Sequence, residues 1–165
     1  MDHMADFFDT FYLEKICALR AATSSGKVEN NVHLSSGFYV SWDEEESDAQ
    51  INYDSPDWAM LTLDWDVSGT PRWFSLNLSL GEGILDSGDI IALVSEGYAD
   101  TSLALSLTLR SKIEDEVFDV DWDDAVELHP ENGINTVLRR IEIGDQIGGR
   151  SAYHTLILTL PAQNN

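Results

Sequence analysis

The chain has 165 residues, with 30 Asp plus Glu against 9 Lys plus Arg, a formal charge of −21, and a hydrophobic fraction of 43% that includes five Trp, five Tyr and six Phe. That is apolar surface enough for one domain with a core. It is too acidic a surface for nucleic acid or an anionic membrane, since such a field repels polyanions over a Debye length of roughly 8 Å at physiological salt.

The N-terminal MDHMADFFDTF has no basic region followed by an apolar one, and no run approaches the roughly 18 apolar residues of a membrane span. Cytoplasmic residence is the default expectation, with signal-independent secretion open. The segment 5–23 places Phe8, Phe11, Tyr12, Ile16 and Leu19 at helical spacings and predicts a short helix within an N-terminal segment 1–23, with a first strand at ICALRAAT (16–23) as the alternative. Cys17 is the single cysteine, which excludes an intrachain disulfide and a cysteine-built metal site; it reads as a small buried apolar residue. After Ser24-Ser25-Gly26 the period changes to two, in KVENNVHL (27–34) and FYVSW (38–42). The acidic DEEESDAQINYDSPD (43–57) reads as a long loop. Strands follow at 58–65, 72–80, 89–95, 102–110, 136–143 and 153–160, with a shorter one at 125–129, all punctuated by Gly, Ser and Pro turns. DIIALVS (89–95) is apolar on both faces, which predicts a central strand covered on both sides.

About eight or nine alternating strands without interleaved helices predict an all-β fold, an antiparallel jelly-roll-type β-sandwich over 27–160 within a single domain 1–165. The run GDIIALVSEGYADTSLALSLTLRS, its Gly88-Asp89 turn and the closing YHTLILTLP resemble jelly-roll modules of the galactose-binding and carbohydrate-binding kind. The resemblance covers 58–161 and rests on strand rhythm. It implies a β-sandwich used for ligand binding and found with enzymes, and it carries no signature residues onto this chain.

One strand raises a specific question. In RWFSLNLSL (72–80), Phe74, Leu76, Leu78 and Leu80 share a face, and Trp73 falls opposite with Ser75, Asn77 and Ser79. The strand 102–110 likewise turns Ser102, Ser106, Thr108 and Arg110 away from its leucines. Hydroxyls, amides and a guanidinium around an indole are what a sugar-binding face needs, since pyranose C–H faces lie on aromatic rings and hydroxyls take planar hydrogen-bond partners. Trp73, Asn77, Arg110 and Trp58 are the ligand candidates, with a carbohydrate as the expected partner. The alternative is that Trp73 lies beneath the helix or the long loop. Trp73 would then be core, and this face would carry no function. The alternative function, from a different class, is a protein-interaction or structural module that oligomerises or docks a partner through exposed aromatics.

A second constellation is IEDEVFDVDWDD (113–124), where Asp119, Asp121, Asp123 and Asp124 are candidate ligands for calcium. It is not an EF-hand, because Asp124 and Pro130 stand where glycine and a bidentate Glu are required. If extended, it would turn Asp119, Asp121 and Asp123 to one face and Val120 and Trp122 to the other, as a charged sheet edge does. A glycosidase-type hydrolase is the less favoured reading: no catalytic motif is present, and among 30 carboxylates some pair meets any required separation. His154 falls on the inward face at the start of its strand and reads as structural.

Overall fold

The computed structural model describes residues 14–22 and 24–162, so the expected Phe8, Phe11 and Tyr12 face of the helix lies outside the described residues. Residues 14–21 are helical, and thirteen strands follow in mostly β structure with several antiparallel sheets. No helix among the described residues is long and apolar enough to cross a membrane. The chain divides into two compact units, one running to Leu80 and taking up the chain again at Leu160, the other spanning Gly81–Thr159.

In the first unit, Lys15 and Leu19 are the buried helical positions. Residues four apart share a helix face, so Cys17 between them points away and is exposed, which corrects its expected burial. Strands β1 (Ser25–Lys27), β4 (Ser47–Asp54) and β5 (Thr62–Gly69) form one antiparallel sheet. Within the other sheet, β2 (His33–Ser35) pairs with β3 (Phe38–Trp42), and β3 with the start of β6 (Phe74–Leu85). Phe38, Val40, Trp42, Phe74, Leu78 and Leu80 are buried, as their alternation requires. Trp65 meets Phe74 edge-on with ring centroids 5.9 Å apart, and its indole N–H donates to the Pro161 carbonyl at 3.1 Å. The acidic loop expected at 43–57 contains β4 instead. Ala49, Ile51 and Tyr53 alternate inward there, and ladder pairing with β5 outweighs a polar composition.

In the second unit, β9 (Leu107–Ile113) lies between β10 (Glu116–Asp121) and β13 (Arg150–Thr159). The strand expected at 102–110 breaks at Ser106, whose carbonyl accepts the Thr159 N–H at 2.9 Å. Its first part becomes β8 (Leu103–Leu105), paired with β11 (Val126–Leu128). β7 (Ile90–Gly97) pairs with β12 (Gly133–Arg140) alone, in a two-stranded sheet. One of its faces is exposed, which corrects the expectation of a strand covered on both sides. Leu107, Leu109, Val120, Trp122, Val137 and Leu156 are among the unit's buried core residues.

His154 and Ser111 are both fully buried in this core. His154 Nε2 lies 3.3 Å from the Gly83 carbonyl, which can only accept, so Nε2 carries the proton and Nδ1 accepts from the Ser111 hydroxyl 2.9 Å away. Burial holds the imidazole below its ordinary pKa of 6.5, against the smaller opposing pull of the Gly83 carbonyl. The ring is therefore a neutral, hydrogen-bonded core member.

Candidate functional site

The strongest constellation in the first unit is built on two connections, 43–46 between β3 and β4 and 70–73 between β5 and β6. Backbone bonds lace them together: Asp43 N–H to the Trp73 carbonyl at 3.1 Å and Thr70 N–H to the Glu46 carbonyl at 3.1 Å. Gly69 makes the approach possible. Its φ is +89°, and a Cβ there would stand 2.3 Å from the Glu46 carbonyl oxygen. Trp42 is held from the other side, where the Asn30 side chain exchanges two 3.0 Å bonds with its backbone.

Asp43 closes the corner. Its carboxylate is buried and accepts from the Glu45 backbone at 3.2 Å, from the Arg72 backbone at 3.3 Å, and from Arg72 Nε and Nη2 at 2.6 and 3.0 Å. Arg72 Nη2 also donates to Glu45 at 2.8 Å. The Arg72 side-chain bonds are the main reason that the Asp43 carboxyl is pulled down from 3.8 to about 2, against the cost of burial. The same carboxylate raises the Arg72 pKa.

Above this pair sits Trp73. The Arg72 guanidinium carbon lies 5.2 Å from its ring centroid, and the indole N–H donates to Ser41 Oγ at 3.1 Å. With its ring atom and one face fixed, Trp73 still leaves 46% of its surface exposed. The aromatic that broke the strand's parity is thus neither core nor a loose side chain. It is a plate fastened by a guanidinium that two carboxylates hold.

The other candidates are placed differently. Asn77 is 4% exposed, and its amide nitrogen donates to the backbone carbonyls of Ser75 and Tyr39 and to the Ser75 hydroxyl. Ser75 and Ser79 are buried as well, and the buried Lys15 ammonium donates to the Ser79 carbonyl, so this polar row is not an open face. Burial lowers the Lys15 pKa. Trp58 is 69% exposed in the connection between β4 and β5. Arg110 belongs to the second unit and makes a two-point pair with Asp119 at 2.8 and 2.7 Å. That pair lowers the Asp119 pKa. Asp121 accepts from Thr108 at 2.7 Å, while Val120 and Trp122 are buried opposite, so this segment takes the arrangement of a charged sheet edge. Asp123 and Asp124 follow in a bend, and no group of three or more His, Cys, Asp or Glu gathers as a metal site among the described residues.

Two serine–histidine pairs invite a catalytic reading. Ser111–His154 is sealed from any substrate. Ser102 Oγ lies 3.1 Å from His129 Nδ1, with Glu127 at 3.8 Å from Nε2, but the His129 and Glu127 side chains are 58% and 67% exposed. In open water a hydroxyl gains little from such neighbours, because no enclosed dipoles stabilise a developing oxyanion. In the second unit, a shallow depression of about 550 Å³ is lined by Glu82, Lys112, Glu114, Ser151, Ala152 and Tyr153, none of which the sequence singled out.

Arg72 and Asp43 also escaped the sequence reading. The available signal was an arginine beside the misplaced tryptophan in a chain with only 9 basic residues, since so rare a cation must find one of 30 acids. No family model, curated protein or solved structure matches the chain.

Proposed function

We propose that the chain is a non-catalytic carbohydrate-binding module whose stacking platform is Trp73. The observation that supports this most is the exposed indole held simultaneously through its ring nitrogen by Ser41 and over its face by Arg72. A ring already fixed loses little freedom when a ligand lies on it, and that saving favours binding. The C–H face of a pyranose covers the indole, and its hydroxyls meet Glu45 and the outer edge of the Arg72 guanidinium, whose Nη1 is not used by the bonds to Asp43 and Glu45. The reading is carried by Trp73, Arg72 and Glu45, since Asn77 is buried and bonded within its own sheet and Arg110 is paired with Asp119.

The alternating antiparallel strands favour a jelly-roll-type sandwich of the galactose-binding and carbohydrate-binding kind as the scaffold, with ligand-contacting residues carried on connections between strands. A glycan array probed with the intact chain and with Trp73→Ala tests the reading. The wild type is expected to bind a discrete set of glycans, and the variant to lose about tenfold or more in affinity, the equivalent of a stacked ring, with an unchanged far-ultraviolet spectrum. An array without wild-type binding, or binding that survives Trp73→Ala, would overturn it.

A further inference from the structure

The paired strands β7 and β12 carry a surface that the carbohydrate reading does not use. Their register places Ile90 opposite Arg140, Ala92 opposite Leu138, Val94 opposite Thr136 and Glu96 opposite Ile134. All eight are on the exposed face, while Leu93 and Val137, at alternate positions, turn the other way. Four large aliphatic side chains stand in water: Ile90 at 64%, Val94 at 65%, Ile134 at 74% and Leu138 at 55% exposure. A two-stranded ribbon is marginal by itself, and aliphatic residues crowded on its outer face mark a contact surface.

The charges on this face name the occupant. In a chain of net charge −21 the face sums to zero, with one acid and one base, Glu96 and Arg140, at opposite ends of the ribbon. The face itself offers a basic or an acidic partner only a single opposite charge, whereas its own acid and base are arranged to complement each other across a two-fold axis. A second copy turned about a two-fold axis perpendicular to the strands would bring each Glu96 end onto the other's Arg140 end. Two ion pairs would then close the two ends of an aliphatic stack. We propose that this ribbon is a homodimer interface, stacked face to face with its strands reversed. The proposal is independent of the Trp73 site.

Size sets the strength. Eight residues on each of two strands cover on the order of 300 Å² at strand spacings, against about 800 Å² per partner in a standard interface. The dimer is therefore weak and forms at high protein concentration. It also explains why DIIALVS is apolar on both faces, since the second face is covered only in the pair.

Two negatively charged copies repel through the rest of their surfaces, so screening strengthens the association. Sedimentation velocity on the full chain, from about 10 to 500 μM protein and at about 20 and 500 mM NaCl, reads this directly. The expected result is a reversible monomer–dimer equilibrium that tightens with salt. Val94→Glu, which sets like charges near the axis, should return the protein to monomer. Glu96→Arg alone should weaken the dimer, and Glu96→Arg with Arg140→Glu should restore it, because the reversed pair is again complementary. Melting curves of each variant show that it remains folded. A wild type that stays monomeric throughout, including one that keeps the face for a different protein, overturns the proposal. So does a dimer that ignores Val94→Glu, or one that the double reversal fails to restore.

Discussion

Asp43→Ala is expected to open the corner that holds Trp73 and to lower stability at neutral pH. The substitution removes the acceptor of the Glu45 N–H, the Arg72 N–H and both Arg72 side-chain bonds. It leaves a guanidinium and two backbone donors facing an apolar methyl. Arg72 then loses its fixed position over the indole, so glycan affinity should fall about tenfold or more even though Trp73 is intact. Acid gives a second readout with a definite sign. The Asp43 carboxyl titrates at about 2 in the folded chain, below its ordinary 3.8. Its contribution to stability is complete above pH about 4 and disappears as pH falls through about 2. Urea unfolding of wild type and variant should show a stability gap that is constant from pH 7 to about 4.5 and narrows below about 4. A gap that persists unchanged to pH 2, or none at pH 7, would contradict the role given to Asp43.

His154→Ala is expected to cost about 2–5 kcal/mol, from a cavity in a packed core together with a Ser111 hydroxyl left without its partner. For a chain of this size that corresponds to a fall in Tm on the order of 10 °C. The pH dependence runs opposite to that of an ion-paired histidine. Because burial holds the folded-state pKa below 6.5, the unfolded chain takes up the proton first as pH falls. The contribution of His154 is fully present above pH about 6.5 and declines below it. Neutralising the many carboxylates also changes stability in this range, so the quantity to follow is the difference between wild type and variant. That difference should narrow between pH 8 and 5. A difference that widens there would mean that the imidazole is charged in the fold.

The parity of single strands was legible because burial on one face imposes it. Leu107, Leu109, Leu156 and His154 all turn inward as their alternation implies. Trp73 was visible for the same reason, as an exception to that alternation. What period two does not reveal is whether the polar side of a strand meets water or other protein. Ser75, Asn77 and Ser79 are small enough to be buried once hydrogen-bonded, and they are. Composition misled at β4, where Asp48, Gln50, Asn52 and Asp54 sit on the outer side of a paired strand. The Asp43–Arg72 pair joins residues 29 positions apart through two connections, and no local pattern announces such a meeting. β7 is apolar on both faces, yet one of them is exposed, because apolar composition does not by itself supply a covering layer.

The indole N–H of Trp73 offers the most direct measurement. In ¹⁵N-labelled protein its resonance is identified by its loss in Trp73→Ala, and the protein is then titrated with the oligosaccharides bound on the array. The expected result is a saturable shift of the Trp73 resonance while those of the buried Trp42 and Trp122 stay in place. Oligosaccharide that leaves the Trp73 resonance unmoved at millimolar concentration, or that shifts Trp58 alone, would contradict the assignment of the binding platform to Trp73.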